Sequence, residues 1–378
     1  MQNLRAPAAF LDGLEPYDPK YLPARIYLNA NESPYGLPEQ VLAELKGSLS
    51  KQMLQRYPDP LAKALRARLA EINSVGETNV LLGNGGDELL FNIFLAYGGR
   101  GRKLLIAPPS FFSYEQDARL TDTEIVEIPR MRVSASDNRR PGSKNLSPGD
   151  ALLSVDEDAL LKRVSQADID IVMLTSPNNP TGDTLREDFV LDLLDASDAL
   201  VLIDQAYVEF ADSRYDMRSH LLEHKNLAIL RTFSKAYALA GVRLGYLLAS
   251  DEILSELCKV RQPYSVDAFS ALAGQVVLTD PEQFHVRVKE IVKGRERVLQ
   301  ALREMPGLTV YPSEANFILI QVHDAHRIWQ RLYDEKGILL RDFSSAPHLA
   351  NCLRVSIGTP EENEEFLESL KEISGGLL

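Results

Sequence analysis

The segment around which the chain is organised reads Thr232-Phe233-Ser234-Lys235-Ala236-Tyr237-Ala238-Leu239-Ala240-Gly241-Val242-Arg243-Leu244-Gly245-Tyr246. Lys235 follows an apolar run of strand length, and Arg243 comes eight residues later, just before a second such run. A buried lysine loses its proton more easily than an exposed one, and its neutral amine can attack an aldehyde. Ser234 and Arg243 offer a hydroxyl and a planar cationic fork, which suit a phosphate. The segment is thus consistent with a ligand that carries both groups, as pyridoxal phosphate does, but a surface Ser-Lys pair beside a lone arginine is an equally good explanation.

Length and composition exclude several classes of protein. The chain has 378 residues, of which 45% are hydrophobic and 25% charged, so a soluble globular protein of two domains is expected. A net charge of −13 argues against nucleic acid as a partner. Two cysteines, Cys258 and Cys352, are too few for a disulfide framework and favour a reducing, cytoplasmic setting. The N-terminal residues do not resemble a signal peptide, and no apolar run reaches the roughly 20 residues that a membrane span needs.

Apolar runs of strand length alternate with helical stretches through the middle of the chain. The runs cover residues 80–82, 103–107, 124–128, 169–174, 200–204, 227–230 and 244–248. Several are continuously apolar, which is typical of strands covered on both faces. This order predicts an α/β fold with a mostly parallel central sheet and crossover helices. In such sheets ligands bind at the carboxyl ends of the strands.

Changes in composition and periodicity along the sequence predict three parts. Residues 1–30 are rich in proline and are expected to form an extended N-terminal arm. Residues 31–275 form the large domain, and residues 276–378 form a smaller α+β domain that packs with the arm. Residues 130–150 are polar and lack periodicity, so they are interpreted as a surface loop.

The motifs of interest come directly after the predicted strands, at residues 83–88, 108–114, 176–182 and 204–207. The glycine-rich turn at 83–88 could present backbone N–H groups to a phosphate. It does not fit a dinucleotide loop, because the third glycine of G-x-G-x-x-G would fall on Glu88. Asp204 ends a buried strand, where a carboxylate needs a partner. A protonated pyridine nitrogen would serve, but so would an internal ion pair or a helix cap.

One further pattern suggests a metal. His220-Leu221-Leu222-Glu223-His224 matches the H-x-x-E-H order of a class of zinc sites. Polar residues flank it on both sides, and no third ligand can be argued nearby. A solvated helix face is the favoured interpretation, so the sequence predicts no metal site.

Two arginines lie in short apolar runs of the second domain. Arg354 stands in Leu353-Arg354-Val355-Ser356, and a buried guanidinium there needs an anion such as a substrate carboxylate. Arg341 is placed similarly, although a pair with its neighbour Asp342 would explain it as well.

These motifs occur in one order over nearly the whole chain, and together they resemble the fold type I pyridoxal-phosphate aminotransferases, specifically the histidinol-phosphate aminotransferase family. The closest matches are Leu28-Asn29-Ala30-Asn31-Glu32-Ser33-Pro34-Tyr35-Gly36, Arg56-Tyr57-Pro58-Asp59, residues 83–88, Asn178-Asn179-Pro180-Thr181-Gly182, the Lys235 segment and residues 354–363. The resemblance implies a transaminase of histidine biosynthesis that uses histidinol phosphate and 2-oxoglutarate. An aromatic amino acid aminotransferase or a phosphothreonine-type decarboxylase on the same fold remains an alternative.

The resemblance also implies roles for individual residues. Lys235 corresponds to the lysine that binds the aldehyde of pyridoxal 5'-phosphate and moves the proton, with Asp204 on the pyridine nitrogen and Tyr207 on the phenolic oxygen. The remaining cofactor residues are expected to be Gly85, Gly86, Asp87, Phe111, Asn179, Ser234 and Arg243. Phe111 stands where the family usually has a stacking tyrosine, and Tyr114 is the other candidate for that position.

The partner and the substrate follow from the same resemblance. Tyr57 is similar to a tyrosine that reaches the phosphate of the neighbouring subunit's cofactor, which implies a homodimer. Arg354 is expected to bind the amino-acid carboxylate. The other substrate-binding residues are expected to be Tyr17, Asn31 and Arg341. No nucleic acid, membrane or metal is expected as a partner.

Overall fold

The structure is a computed structural model that describes residues 5, 11, 14, 22–133 and 146–375. Tyr17, predicted to bind substrate, and residues 134–145 of the predicted polar loop lie outside the described residues. Within the described part of the chain, none of the helices has the length and apolar character that a membrane span requires.

The elements are numbered in chain order. The strands are β1 (Ile26–Leu28), β2 (Val80–Asn84), β3 (Lys103–Ile106), β4 (Glu124–Glu127), β5 (Met131–Val133), β6 (Leu152–Ser154), β7 (Ile171–Thr175), β8 (Leu200–Asp204), β9 (Leu227–Thr232), β10 (Leu244–Ala249), β11 (Leu308–Tyr311), β12 (Phe317–Val322), β13 (Ile338–Asp342) and β14 (Cys352–Ser356). The helices are α1 (Glu39–Ser48), α2 (Lys51–Gln55), α3 (Lys63–Asn73), α4 (Gly85–Tyr97), α5 (Ser113–Leu120), α6 (Glu157–Val164), α7 (Glu187–Asp195), α8 (Asp251–Val260), α9 (Ala268–Val277), α10 (Glu282–Arg303), α11 (Ala325–Lys336) and α12 (Pro360–Gly375).

A large sheet positions the site. Among the described residues it has seven strands in the order β2-β10-β9-β8-β7-β3-β4, and the five from β9 to β4 are parallel. Alternate residues of each strand enter different cores. Val201 and Ile203 of β8 pack on the side of α1, α3, α6, α7 and α9, whereas Leu200 and Leu202 pack on the side of α4, α5 and α8. The predicted α/β class with a mostly parallel sheet is therefore confirmed.

One strand runs against the others. β10 is antiparallel to both of its neighbours, β2 and β9. The apolar run that predicted this strand does not encode its direction, because a strand buried on both faces shows the same pattern either way. Residues 233–243, which carry the lysine segment, form the connection between β9 and β10.

A second sheet has the order β1-β13-β14-β12-β11 and packs against α10, α11 and α12. Its first strand, Ile26–Leu28, comes from the predicted N-terminal arm and pairs in parallel with β13. Arg25, just before it, forms an ion pair with Glu365 of α12. This part of the predicted arm is therefore extended, as a strand that pairs with the smaller sheet. The predicted boundaries at residues 30/31 and 275/276 stay predictions.

Candidate active site

A cavity of about 360 Å3 lies at the carboxyl ends of β7, β8 and β9, beside the first residues of α4. This is where a parallel sheet places its ligands, and the volume is in the range of small-molecule sites. Residues of the predicted site that line it are Gly86, Asp87, Phe111, Asn179, Asp204, Tyr207, Ser234, Lys235 and Arg243. The fold therefore brings together, in one cavity, predicted residues from five separate segments of the chain.

Lys235 projects into this cavity from the connection after β9. Its Nζ donates a hydrogen bond to the backbone oxygen of Ala30 at 2.9 Å. Burial lowers the pKa of Lys235 to about 8, and the positive charge of Arg354 acts in the same direction. Roughly a tenth of the amine is then neutral at pH 7, far more than for a lysine of ordinary pKa. A nucleophilic amine is therefore available near neutral pH.

Asp204 ends β8 and is only 5% exposed. Burial raises the pKa of this carboxyl to about 6, while hydrogen bonds from Tyr114 and from the backbone of Ala206 oppose the rise. The Tyr114 hydroxyl lies 2.7 Å from Oδ2, and the Ala206 N–H lies 3.0 Å from Oδ1. The carboxylate is thus held in one orientation at the floor of the cavity, and a cationic partner there would keep it ionised.

The two aromatic candidates of the 108–114 segment have separate positions. Phe111 lines the cavity, where its ring can pack on a planar ligand. Tyr114 is fully buried, and its hydroxyl lies between Asp204 and Thr175, 2.8 Å from Thr175 Oγ1. Tyr114 is therefore not placed to stack on a ligand. It orients Asp204 instead, a role that the sequence analysis did not assign to it.

A chain of hydrogen bonds connects the two sheets across the cavity. Tyr207 Oη accepts from Nδ2 of Asn179 at 3.3 Å and from Nδ2 of Asn31 at 3.0 Å. Asn179 Oδ1 in turn accepts from Nη1 of Arg354 at 2.5 Å. Asn31 is buried, and its backbone N–H donates to Ser356 Oγ at 2.9 Å. Asn31 and Arg354 therefore reach the cavity through Tyr207 and Asn179, and the positions of all four depend on one another.

One end of the cavity is suited to an anion. α4 begins at Gly85, so its free N–H groups and the positive end of its dipole lie there. Gly85 has φ +75°, and a Cβ on it would lie 2.6 Å from Nη2 of Arg243. The same Nη2 donates to Asp87 at 2.8 Å, and the Ser234 hydroxyl lies nearby on the cavity wall. Guanidinium, hydroxyl and helix N–H groups form a donor set that fits a phosphate.

Two predicted residues lie away from this cavity. Tyr57 is 82% exposed, and its ring stacks on Tyr264 with centroids 4.7 Å apart. Arg341 lies directly across the β13–β14 ladder from Arg354, so both side chains leave the same face of the sheet. Its guanidinium lies over the Phe343 ring at 5.7 Å, and Arg354 approaches the same ring at 5.6 Å.

Two residues of the site were not singled out from the sequence. Glu32 lines the cavity, and its negative charge opposes the lowering of the Lys235 pKa. Thr175 lines the cavity as well and bonds the Tyr114 hydroxyl. Glu32 lies inside the quoted 28–36 motif, which was the available signal, whereas Thr175 is one more residue at the end of an apolar strand.

Known proteins resemble this chain over nearly its whole length. The family model described as aminotransferase class I and II matches residues 24–370. Histidinol-phosphate aminotransferase 1 of Carboxydothermus hydrogenoformans is 43% identical over 362 residues, which cover 95% of this chain and 96% of the relative.

Solved structures have the same fold. The histidinol-phosphate aminotransferase of Sinorhizobium meliloti, in complex with pyridoxal-5'-phosphate, superposes with a TM-score of 0.85 at 23% identity, over 100% of this chain and 99% of that one. The L-threonine-O-3-phosphate decarboxylase of Porphyromonas gingivalis superposes with a TM-score of 0.77 at 25% identity, over 93% of this chain and 99% of that one.

Proposed function

The chain belongs to the aminotransferase class I and II family, and from that premise we propose that it transfers the amino group of histidinol phosphate to 2-oxoglutarate in histidine biosynthesis. It is a transaminase, and the cofactor of this family is pyridoxal 5'-phosphate. The observation that carries the choice of substrate is the 43% identity, over 95% of the chain, with a histidinol-phosphate aminotransferase. A cytoplasmic location is part of the proposal and is supported by the two free cysteines.

The residues of the cavity fit the cofactor. Asp204 would accept a hydrogen bond from the protonated pyridine nitrogen, and Phe111 would cover one face of the ring. Tyr207 and Asn179 would bond the phenolic oxygen. The phosphate would lie at the start of α4, where Gly85, Gly86, Asp87, Ser234 and Arg243 are placed. When bound, pyridoxal phosphate supplies an electron sink for the charge that forms on the substrate carbon as its proton leaves.

The protein groups supply the proton transfer and the orientation. Lys235 Nζ, with its lowered pKa, accepts the proton from the substrate carbon and gives it back later in the same amino-group transfer. Arg354 binds the α-carboxylate of glutamate with its planar fork, because this geometry matches a carboxylate. Arg341 lies across the ladder from Arg354 and would bind the more distant anion, the phosphate of the amine substrate. Tyr17 and Asn31 are proposed to complete substrate binding.

An assay of amino donors tests this function. The purified, cofactor-loaded protein is expected to form glutamate from 2-oxoglutarate most efficiently with histidinol phosphate, measured as kcat/KM. Histidinol, which lacks the phosphate, is expected to be poorer by about one to two orders of magnitude, since a charge-assisted hydrogen bond contributes about 1.5 to 3 kcal/mol. A higher kcat/KM with phenylalanine or tyrosine, or release of CO2 from phosphothreonine, would contradict the proposal.

The same assay with Arg341→Ala identifies the phosphate ligand. The substitution should remove most of the advantage of histidinol phosphate over histidinol and leave the half-reaction with glutamate nearly unchanged. Arg354→Ala serves as the matched comparison from the opposite strand and should impair the glutamate half-reaction. If Arg341→Ala weakened both amines equally, Arg341 would have only a structural role.

We also propose a homodimer in which Tyr57 completes the partner's site. The support is that Tyr57 belongs to the quoted 56–59 motif yet is 82% exposed and away from the cavity of its own chain. Tyr264, which stacks on Tyr57, is also exposed, and so are Leu54 and Phe269, which lie a few residues from Tyr57 and Tyr264 in the sequence. Large exposed apolar side chains are typical of contacts between subunits.

Mixed dimers test the contribution of Tyr57. Lys235→Ala and Tyr57→Phe protomers, each impaired alone, should recover about a quarter of wild-type activity when mixed, because half of the dimers are mixed and each holds one intact site. Lys235→Ala mixed with Asp204→Ala is the control, and it should recover nothing since both lesions affect a chain's own cavity. A fully active monomer on a sizing column would contradict the dimer.

A further inference from the structure

A second group of ligand-type side chains lies between β8 and β9, outside the active site. His220 ends a 3-10 turn that begins at Met217, and a further turn follows it. The backbone N–H groups of Glu223 and His224 both bond the oxygen of His220 at 3.2 Å. The sequence favoured a solvated helix face here; Leu222 and Glu223 are exposed, but the segment forms short turns and not a continuous helix. The turns are compact, and the buried side chains of Met217 and Leu221 anchor them to the core.

The turn brings three ligand atoms together. One from each of His220, Glu223 and His224 lies within 4.8 Å of the others. The two histidine side chains are only 17% and 19% exposed, so their rings are held by packing, whereas Glu223 is 72% exposed and free to rotate. In a metal site with bonds of about 2.0–2.2 Å, ligand atoms lie roughly 3.3–3.6 Å apart. Closing the remaining gap would take rotation of the exposed glutamate together with a small adjustment of the two histidine rings.

Carboxylates from α7 approach the histidines. Glu187 Oε1 lies 2.6 Å from His220 Nε2, while Nδ1 of the same ring faces Glu223 Oε2 at 3.9 Å. With the proton on Nε2, the lone pair of Nδ1 is directed towards Glu223. Asp195 Oδ1 lies 3.7 Å from Nδ1 of His224, within ion-pair range but beyond hydrogen-bond distance. Glu187 thus provides for His220 the carboxylate partner that a metal-bound histidine usually has on its other nitrogen.

We propose that His220, Glu223 and His224 form a binding site for a divalent transition metal ion such as Zn2+, with water completing the coordination. Two imidazoles and one carboxylate prefer this class of ion to Mg2+ or Ca2+. None of the three residues lines the cavity at Lys235, so the ion would not take part in transamination. Because Glu187 and Asp195 lie on α7, a bound ion would join that helix to the turn and stabilise the fold.

A cobalt titration of the cofactor-loaded, metal-stripped protein tests the site. A Cys258→Ser background removes the exposed thiol, which could bind cobalt itself. Calorimetry and visible absorption are expected to show one saturable Co2+ site per chain, from which Zn2+ displaces the cobalt. Zn2+ should also raise the melting temperature. Transamination is expected to be unchanged by the metal.

Three variants and one control identify the ligands. His224→Ala should weaken Co2+ binding by about 100-fold or more, and Glu223→Gln and Glu187→Gln by about 10-fold or more. Both glutamates are substantially exposed, so these two variants test the site even if His224→Ala fails to fold. The matched control is His285→Ala, because His285 lies 3.3 Å from Glu282 in an exposed pair that lacks a second histidine.

The results separate a metal site from a cluster of ion pairs. Saturable binding that the three variants weaken and His285→Ala does not would support the proposal. The absence of a saturable site in the parent protein would overturn it. Equal Co2+ affinity in the His285→Ala, Glu223→Gln and Glu187→Gln proteins would overturn it as well and would leave the contacts as histidine–carboxylate ion pairs only.

Discussion

Lys235→Ala is expected to lower kcat/KM for transamination by about three orders of magnitude or more. The substitution removes the amine that we propose binds the cofactor's aldehyde and carries the proton, and general acid–base catalysis alone typically contributes 10²–10⁴-fold. The pKa of about 8 makes the lysine partly neutral near pH 7, and alanine has no such group. Single-turnover rates with histidinol phosphate, measured on the cofactor-loaded variant, would give the loss directly.

Chemical labelling provides the control for this assignment. Borohydride reduction of the cofactor-loaded wild-type protein, followed by peptide mapping, should attach the cofactor permanently to Lys235. Lys235→Arg keeps the positive charge and the bond donor to Ala30, so it separates loss of the nucleophile from loss of charge. A label on another lysine, or near-normal turnover in Lys235→Ala, would overturn the role.

Asp204→Asn is expected to reduce transamination by about two to four orders of magnitude, the second largest effect. The asparagine has nearly the same shape but no negative charge with which to keep a pyridine nitrogen protonated, so the cofactor could no longer accept the carbanion's charge as well. The cofactor is still expected to bind through Lys235 and the phosphate end of the cavity. Turnover close to wild type with normal cofactor content would contradict this role.

The same substitution should make the cofactor-free protein more stable at neutral pH, although it lowers activity. Burial raises the folded-state pKa of Asp204 from 3.8 to about 6, so folding penalises the ionised form. The penalty is absent below about pH 4, develops as the pH rises towards 6, and is complete above that value, where it amounts to about 3 kcal/mol. The side chain of the Asp204→Asn variant cannot ionise, so the variant does not carry this penalty. Tyr114 can still bond both Thr175 and the amide.

Denaturant unfolding of the cofactor-free proteins measures this difference. Wild type and Asp204→Asn should have similar free energies of unfolding near pH 4, and the variant should be the more stable one at pH 8. Glu209→Gln is a comparison at another largely buried carboxyl, where the charge of Arg231 opposes the rise in pKa that burial causes, so the gain should be smaller. A variant less stable than wild type at pH 8 would mean that the hydrogen bonds to the carboxylate outweigh its burial.

The sequence predicted the strands of the large sheet and the cavity better than it predicted strand direction and strand pairing. Continuous apolar runs identified the buried strands, and because ligands bind where such strands end, the residues after them were the right candidates for the cavity. The direction of β10 was not predictable, since burial on both faces leaves no pattern that depends on direction. The pairing of β1 with a strand more than 300 residues away also has no local signal.

Side-chain roles inside one short motif were equally hard to assign. Phe111 and Tyr114 are both aromatic and lie three residues apart, but α5 begins at Ser113 and turns Tyr114 into the core. Only the fold shows that its hydroxyl meets Asp204 and Thr175. The compact turn at His220 was missed for a related reason, because i, i+3 and i+4 spacing also suits a helix.

The pairing of β1 with β13, and of Asn31 with Ser356, has a consequence for how the protein is made. Asn31 and Ser356 are 325 residues apart, and β1 and β13 are more than 300 apart, so at about 5–20 residues per second a ribosome needs roughly 15 to 65 s between the partners. The strands of the large sheet end at Ala249 and can assemble during that time. Until β13 emerges, however, β1 lacks the strand with which it pairs, and the wall of the cavity that carries Ala30 and Glu32 is not yet fixed in place. The nascent enzyme therefore cannot close its cofactor site before β13 and β14 have been translated.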